Sequence, residues 1–367
     1  MNKVIALMLS AGTAFPAFAE RDINGWEFLS ASTSAYTGSI GVENVSSHSR
    51  EIDMALRNPA LMTEETHNTA SLSYQNYLAG SSWATAAYSR AVDDKNSWGA
   101  AVVFAPYGKM TETDIYGNEI GEFSATDFMA EGLYSRMLAE NFRVGLGFKL
   151  IFSSIAKERS FGFGFDVGAN YFNKDKDISL GFAVRNIGVQ LATYTDTPDS
   201  RDRLPWNMQL GFTKGLEHAP FKFSITYTDL NRWDLSYTKY NEVDKSTLDG
   251  EDLDATQDVK WGDMFMRHFV FSVEFVPKDE FSLVVGYNCR RGREYQLSDS
   301  RSGAGFSFGL NLNIKNVYVG AAYSIYGKAA NVFGATVGYR INRAVYVKTI
   351  EPGEQYGGQY TEPDEQY

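Results

Sequence analysis

The side chains best suited to chemistry in this sequence stand too far apart to suggest a catalytic constellation. His48, His67, His218 and His268 are its four histidines. No two of them have the i, i+4 spacing that puts a metal-binding pair on one helix face. Cys289 is the single cysteine, so neither an intrachain disulfide nor a Cys-x-x-Cys pair can form. No general base accompanies it in the sequence to activate the thiol. Gly162-Phe163-Gly164 lies in a strand-like stretch with no helix after it, which makes it a place where glycine eases curvature rather than a phosphate cradle. The acidic concentration is Glu242, Asp244, Asp249, Glu251, Asp252, Asp254 and Asp258. Asp249-Gly250-Glu251-Asp252 lacks the ligand order of an EF-hand. Two readings of this stretch remain, a divalent-cation site bridging lipid phosphates and a solvated loop that touches a partner. None of these patterns predicts an enzyme or a bound cofactor.

The elements that carry these residues are more informative. Tyr (22), Phe (25) and Trp (6) are abundant among the 367 residues, Gly adds 33 and Pro only 9. Many aromatics and glycines with no apolar run near twenty residues suit a sheet-rich membrane protein better than a helical one. The mean hydropathy of −0.30 would suit a soluble chain, but in a membrane barrel the lumen-facing residues dilute the lipid-facing ones one for one. The net charge of −11 argues against a nucleic-acid partner.

Residues 1–19 have the form of a signal peptide: Lys3, the apolar stretch Val4 to Ala14, and the cleavage signal Ala17-Phe18-Ala19. From residue 69 to 341 the chain falls into segments with period-two alternation. Val144, Leu146, Phe148, Leu150 and Phe152 share one face while Arg143, Gly145, Gly147 and Lys149 share the other. Phe306, Phe308, Leu310, Leu312 and Ile314 repeat the pattern. Fourteen strands are expected, at 69–77, 83–91, 97–106, 125–136, 143–152, 161–172, 178–186, 206–214, 221–229, 266–276, 281–290, 303–313, 316–326 and 331–341.

Connections expected to be short alternate, imperfectly, with longer ones at 107–124, 187–205, 230–265 and 291–302. That phase fits periplasmic turns and surface loops. A spanning sheet must close, because an unpaired backbone group in hydrocarbon costs several kcal/mol. The expected fold class is therefore an all-β membrane protein, a 14-stranded antiparallel transmembrane β-barrel in the outer membrane with both termini periplasmic. A β-sandwich that hides its apolar face in a core is the alternative sheet architecture.

Residues 20–68 show no strand alternation and either stay in the periplasm or plug the lumen; they contain Asn58-Pro59-Ala60. Residues 342–367 read as a flexible acidic periplasmic tail. Arg143, Lys149, Asp166 and Arg185 are expected to face the lumen, either pairing across it or lining a water path. Tyr74, Tyr77, Trp83, Trp98, Tyr171, Phe172, Trp206 and Tyr339 are candidates for interfacial girdles, with ordinary packing as the alternative.

Trp26-Glu27-Phe28-Leu29, Arg57-Asn58-Pro59-Ala60-Leu61, Gly121-Glu122-Phe123-Ser124-Ala125, Arg185-Asn186-Ile187-Gly188, His218-Ala219-Pro220-Phe221-Lys222-Phe223 and Met266-Arg267-His268 together resemble the PorQ family of type IX secretion outer-membrane proteins. That family looks distantly related to the FadL-like barrels. The resemblance implies a non-catalytic member of a surface attachment complex, in which cargo is joined to lipopolysaccharide. Such a barrel would hold a PorZ-like surface protein beside PorV-like and PorU-like components, the last being the sortase. The long loops are then the expected docking surface, with Arg201, Arg203, Trp233, Asp249, Glu251, Asp252 and Asp254 as candidate contacts. Outer-membrane lipid or lipopolysaccharide is an expected neighbour. The competing functions are a FadL-like channel for hydrophobic small molecules and a general diffusion porin. The tail after Arg343 departs from the family pattern, in which the chain ends close to the last strand.

Overall fold

The computed structural model describes residues 26–49, 51–194, 201–235, 259–294, 303–327 and 331–341. The expected leader, acidic tail and central acidic run lie outside these residues, and so do Asp249, Glu251, Asp252 and Asp254.

The alternating segments become β1 (Thr69–Asn76), β2 (Ser82–Ala91), β3 (Asn96–Thr113), β4 (Glu119–Ala139), β5 (Phe142–Ile155), β6 (Glu158–Asn173) and β7 (Ile178–Ala192). They continue as β8 (Asn207–Gly215), β9 (Phe221–Tyr227), β10 (Phe269–Lys278), β11 (Phe281–Asn288), β12 (Phe306–Ile314), β13 (Val317–Ile325) and β14 (Asn331–Arg340). Each strand pairs antiparallel with its sequence neighbours, and β14 returns to β1 in the register Thr69↔Arg340 to Asn76↔Phe333. The sheet is a closed ring of fourteen strands, and closure disposes of the sandwich alternative.

Alternation fixes which face is which. Leu146, Phe148 and Phe152 of β5 point outward, while Arg143, Gly145, Gly147, Lys149 and Ile151 are buried on the lumen side. Phe306, Phe308 and Leu310 of β12 likewise face out, against Ser307 and Asn311 within. An outward belt of Phe, Leu, Val and Tyr around a closed ring has no core to hide in, and hydrocarbon is the solvent it suits.

One rim, the turn end, carries the connections at 92–95, 140–141, 174–177, 216–220, 279–280 and 315–316; the opposite rim is the loop end. The largest departure from the sequence expectation lies at the loop end. The stretch expected as loop 107–124 is mostly ribbon, with pairing from Lys109↔Ser124 to Thr113↔Glu119. It shows no apolar alternation because both of its faces are wet, so the greasy-in-one-face rule does not apply to it. The strand expected from 266 begins three residues later, after helix α2 (Trp261–Arg267), which follows the short helix α1 (Ala35–Ser39) in chain order. The strand expected to reach 290 stops at helix α3 (Cys289–Glu294). Arg267, the last residue of α2, is turned in by its bond to the Leu235 carbonyl, at 3.0 Å.

Of the two placements open for residues 20–68, the described residues 26–49 and 51–68 take the lumen. Helix α1 packs against β12, β13 and β14 on one side of the bore. The turn Pro59–Leu61 packs against β4, β5 and β6 on the other. Three buried apolar clusters fill the space between. Near the loop end, Trp26, Phe28 and Leu29 meet Trp83, Val103, Ala105, Met129, Ile151 and Leu204. Ile52, Ala55, Leu56 and Met62 meet Ala87, Ala101 and Leu133. Tyr36, Ile40, Met54 and Leu61 meet Val284.

Trp83 and Tyr77, expected as girdle candidates, therefore turn inward to this packing. Phe172 stacks on His48 with ring centroids 4.0 Å apart. Tyr74, Trp98, Tyr171 and Tyr339 do face outward.

Candidate functional site

The plug is held by polar contacts on a wall cut away to receive it. Asn58 caps the Pro59–Leu61 turn, its Oδ1 accepting from the Ala60 N–H at 3.0 Å. Proline at the next position suits a first helical residue, because it has no N–H to satisfy. The Asn58 amide then donates to the Val45 carbonyl of the plug at 2.8 Å and to the Ala169 carbonyl of β6 at 3.2 Å. One side chain thus joins two parts of the plug to the barrel.

The wall opposite is glycine. A Cβ on Gly145 would lie 2.3 Å from the Pro59 carbonyl carbon, one on Gly168 2.0 Å from Asn58 Oδ1, and one on Gly181 1.9 Å from the Val45 carbonyl oxygen. Gly162, expected to ease curvature, serves as clearance as well: a Cβ there would lie 2.6 Å from the Trp26 ring. Replacing Asn58 by Ala strands the Val45 and Ala169 carbonyls and removes the cap, each an effect of about 1 to 2 kcal/mol. The expected result is an earlier unfolding midpoint in detergent with the barrel still formed, read by near-ultraviolet and far-ultraviolet circular dichroism.

Mid-bore lies a buried charge group. Lys149 Nζ is 2.7 Å from Asp166 Oδ2 and donates to Asn186 Oδ1 at 2.7 Å. The Asn186 N–H donates to Asp166 Oδ1 at 2.7 Å. Arg185 stands 3.9 Å from Asp166 and 3.7 Å from Glu43 of the plug. Lys149, Asp166 and Arg185 are all at most 3 % exposed.

A β-bulge makes this possible. The β6–β7 register shifts between Phe165↔Ile187 and Val167↔Val184, so Asp166 faces both Arg185 and Asn186. Asn186 adopts φ 58°, a left-handed conformation that Asn tolerates better than most residues. Glu131 points at the same group with both carboxylate oxygens buried and without a hydrogen bond, and Gly147 gives it room. Arg57 reaches across to the Ala31 carbonyl. Of the two roles open for the inward charges, Lys149, Asp166 and Arg185 pair, whereas Arg143 donates to the Ser135 hydroxyl and the Lys95 carbonyl and lines a cavity. A cavity of about 10 Å³ beside Glu131, Lys149 and Arg185 is about the size of one water. A larger one of about 190 Å³, lined by His48, Glu64, Glu65, Arg143 and Lys174, opens at the turn end.

Arg201, Arg203 and Trp233 stand at the loop end, where docking contacts were expected. Arg201 and Arg203 are exposed, and Arg203 bridges to Val189 of β7. Trp233 is 46 % exposed and stacks on His268. Two features escaped the sequence reading. The β3–β4 ribbon rises beyond its neighbours, since β2 pairs with β3 no further than Phe104, and β5 with β4 no further than Ala125. Gly305-Phe306-Ser307-Phe308-Gly309 has the Gly-x-Ser-x-Gly spacing of a nucleophile elbow, yet it runs along β12 with Ser307 buried on the lumen side. It lacks the strand-to-helix turn that such an elbow needs.

Solved structures with the same overall fold include FadL-like barrels. The Pseudomonas putida toluene transporter TodX superposes with a TM-score of 0.52 at 11 % identity, over 87 % of this chain and 98 % of that one. A FadL homologue of Pseudomonas aeruginosa gives 0.50 at 10 % identity, over 85 % and 99 %. At such identity the likeness is one of fold. No family model matches the sequence, and no curated protein matches it either.

Proposed function

We propose that this chain is a non-conducting outer-membrane anchor that holds a surface protein on its loop end, the role implied by its resemblance to the PorQ family. In this reading it belongs to a type IX attachment complex, bearing a PorZ-like protein beside PorV-like and PorU-like members. The carrying observation is the seated plug, which fills the bore with three apolar clusters and a paired charge group. Such a barrel offers its rim rather than its bore. The β3–β4 ribbon suits docking, because its residues 109–123 pair with no other described strand and leave strand edges for another chain to extend. Its tip exposes Ile115 and Tyr116 almost fully.

Single-channel recording of the purified protein tests the bore: a closed baseline is expected, and large steady currents would remove the anchor-only reading. Excising residues 109–122 with a two-residue turn in their place tests the rim. Loss of a surface-exposed partner from an intact, inserted barrel is the expected result.

The ribbon turn carries a pH dependence. Asp114 accepts from the Tyr116 and Asn118 N–H groups and from the Asn118 amide, each at 2.9 Å, and these bonds hold its carboxyl below the usual carboxylate range. A group whose folded pKa is lowered stabilises the folded form above its unfolded pKa and loses that contribution as pH falls through the folded value. The turn is therefore expected to hold at neutral pH and fray in acid. Amide exchange of Gly117 and Asn118 at falling pH, corrected for intrinsic rates, measures it.

A channel for hydrophobic molecules is the second reading, and one observation favours it. β3 breaks register between Pro106 and Lys109, just beyond Val103 and Ala105 of the loop-end apolar cluster. A strand irregularity at the mouth beside an apolar cluster suits entry of an apolar molecule there. Under this reading Trp26→Ala enlarges the cluster's space and raises uptake of a monoaromatic hydrocarbon into cells, whereas under the anchor reading uptake does not change.

A further inference from the structure

We infer that the cavity at the turn end docks a motif from the chain's own residues 342–367, taking a Glu carboxylate on Arg143 and a Tyr ring against Phe142 and Phe172. This concerns the rim opposite the loop end and is independent of the anchoring role.

The cavity, of about 190 Å³, contains a cation without an anion. Arg143 is 5 % exposed, and its hydrogen bonds to the Ser135 hydroxyl at 3.1 Å and the Lys95 carbonyl at 3.3 Å both leave from Nη1. Among the described residues no carboxylate stands within ion-pair distance of it, and its Nε and Nη2 make no hydrogen bond. That edge of a guanidinium is shaped to hold both oxygens of a carboxylate. Phe142, Phe172 and the His48 ring stacked on Phe172 supply apolar surface beside it. Lys174, Glu64 and Glu65 line the cavity too, but they are exposed; of the four charged lining residues only Arg143 is buried. A cavity of about 150 Å³ takes one benzene ring, so this one has space for a single ring with a short acidic arm.

A segment of matching chemistry leaves the barrel at this rim. The Ile341 N–H donates to the Asn68 carbonyl at 2.8 Å, beside the start of β1, so residues 342–367 set out from the turn end. They carry five Asp and Glu against two Lys and Arg. Within them Glu351-Pro352-Gly353-Glu354-Gln355-Tyr356 recurs as Glu362-Pro363-Asp364-Glu365-Gln366-Tyr367, identical at five of six positions. In extended backbone residues i and i+2 point to one side, so the second Glu and the Tyr of either copy fit one cavity together. A proline lowers the cost of ordering such a motif on a surface. The nearer copy reaches: Glu354 lies thirteen residues beyond Ile341, about 43 Å at about 3.3 Å per residue, whereas β5 is five strand spacings from β14, about 24 Å. Ala60 and Thr63 also line the cavity, so the docked motif braces the plug next to its Asn58 turn.

Fluorescence polarisation of a dye-labelled Glu-Pro-Asp-Glu-Gln-Tyr peptide on the full chain, in an uncharged detergent, tests this. The comparison is with a motif-free variant carrying Glu354→Gln, Tyr356→Ala, Glu365→Gln and Tyr367→Ala. Wild type should bind the peptide at least about tenfold more weakly than this variant, because its tethered copies compete at an effective concentration on the order of millimolar. Adding Arg143→Lys to the motif-free variant keeps the charge but not the two-pronged edge, and binding should fall about tenfold. Adding Glu64→Gln instead removes a competing carboxylate and should leave binding as tight or tighter. Phe172→Ala leaves the Arg143 bonds in place and should weaken binding through the lost ring. Far-ultraviolet circular dichroism shows that each barrel is intact. No binding to the motif-free variant, equal binding to wild type, undiminished binding after Arg143→Lys or Phe172→Ala, or weaker binding after Glu64→Gln each overturns the proposal.

Discussion

Asp166→Ala is expected to destabilise the barrel by about 3 to 5 kcal/mol, the cost of leaving buried charges without their partner. Asp166 is the one carboxylate described within ion-pair distance of both Lys149 and Arg185, at 2.7 and 3.9 Å, and all three are buried. Removing the carboxylate also strands the Asn186 N–H at the bulge. Asp166→Asn should lose nearly as much, since it keeps a polar atom there but not the charge. Lys149→Met combined with Asp166→Leu should cost less than the sum of the single changes, because the cation leaves with its anion. Urea unfolding from lipid vesicles measures all of these. An Asp166→Ala barrel within about 1 kcal/mol of wild type would show that water already solvates the group.

The charge group also shows how far the sequence could be read. Strand alternation placed Arg143, Lys149, Asp166 and Arg185 in the lumen, because a two-residue period needs only local information. Which of them meet depends on strand register and on a bulge at Asn186, and neither is written in any one strand. Glu43 was unreadable as a partner for Arg185, since it comes from a segment with no periodicity at all.

The same division runs through the rest of the molecule. The hydrocarbon imposes one apolar face on every crossing, so the fourteen strands and the ring were legible. Beyond the hydrocarbon that constraint ends: the β3–β4 ribbon reads as a loop, and only Met266 and Arg267 at the end of α2 read as the start of a strand. For Trp83 girdle and packing stay open in the sequence, because its place near a strand end does not say which way it turns. Asn58, Pro59 and Ala60 were noticed as a motif, but their partners Gly145 and Gly168 were not. Those glycines lie about ninety residues or more further on, and a missing side chain leaves no pattern of its own.

Those glycines set the second large expectation, that Gly145→Val or Gly181→Val unseats the plug. The added Cβ would lie 2.3 Å from the Pro59 carbonyl carbon in the first case and 1.9 Å from the Val45 carbonyl oxygen in the second. Both obstacles are backbone and cannot turn aside as a flexible side chain can. Overpacking of a tight interior costs about 1 to 3 kcal/mol even where side chains can adjust. Here the wall is fixed by continuous hydrogen bonding on both sides of each strand, β4 and β6 flanking β5, and β6 and β8 flanking β7. The plug is fastened at a few points such as Asn58, so the plug should be the part that moves. Its departure exposes the Lys149, Asp166 and Arg185 group to water, and the bore should pass a steady current where wild type is closed. Arg57, fully buried in the seated plug, should become a trypsin site in the same preparation. A variant that inserts normally, stays closed and keeps Arg57 protected would mean that the ring expands to hold its plug, and the lumen-facing glycines would then be spacing for assembly rather than a seat.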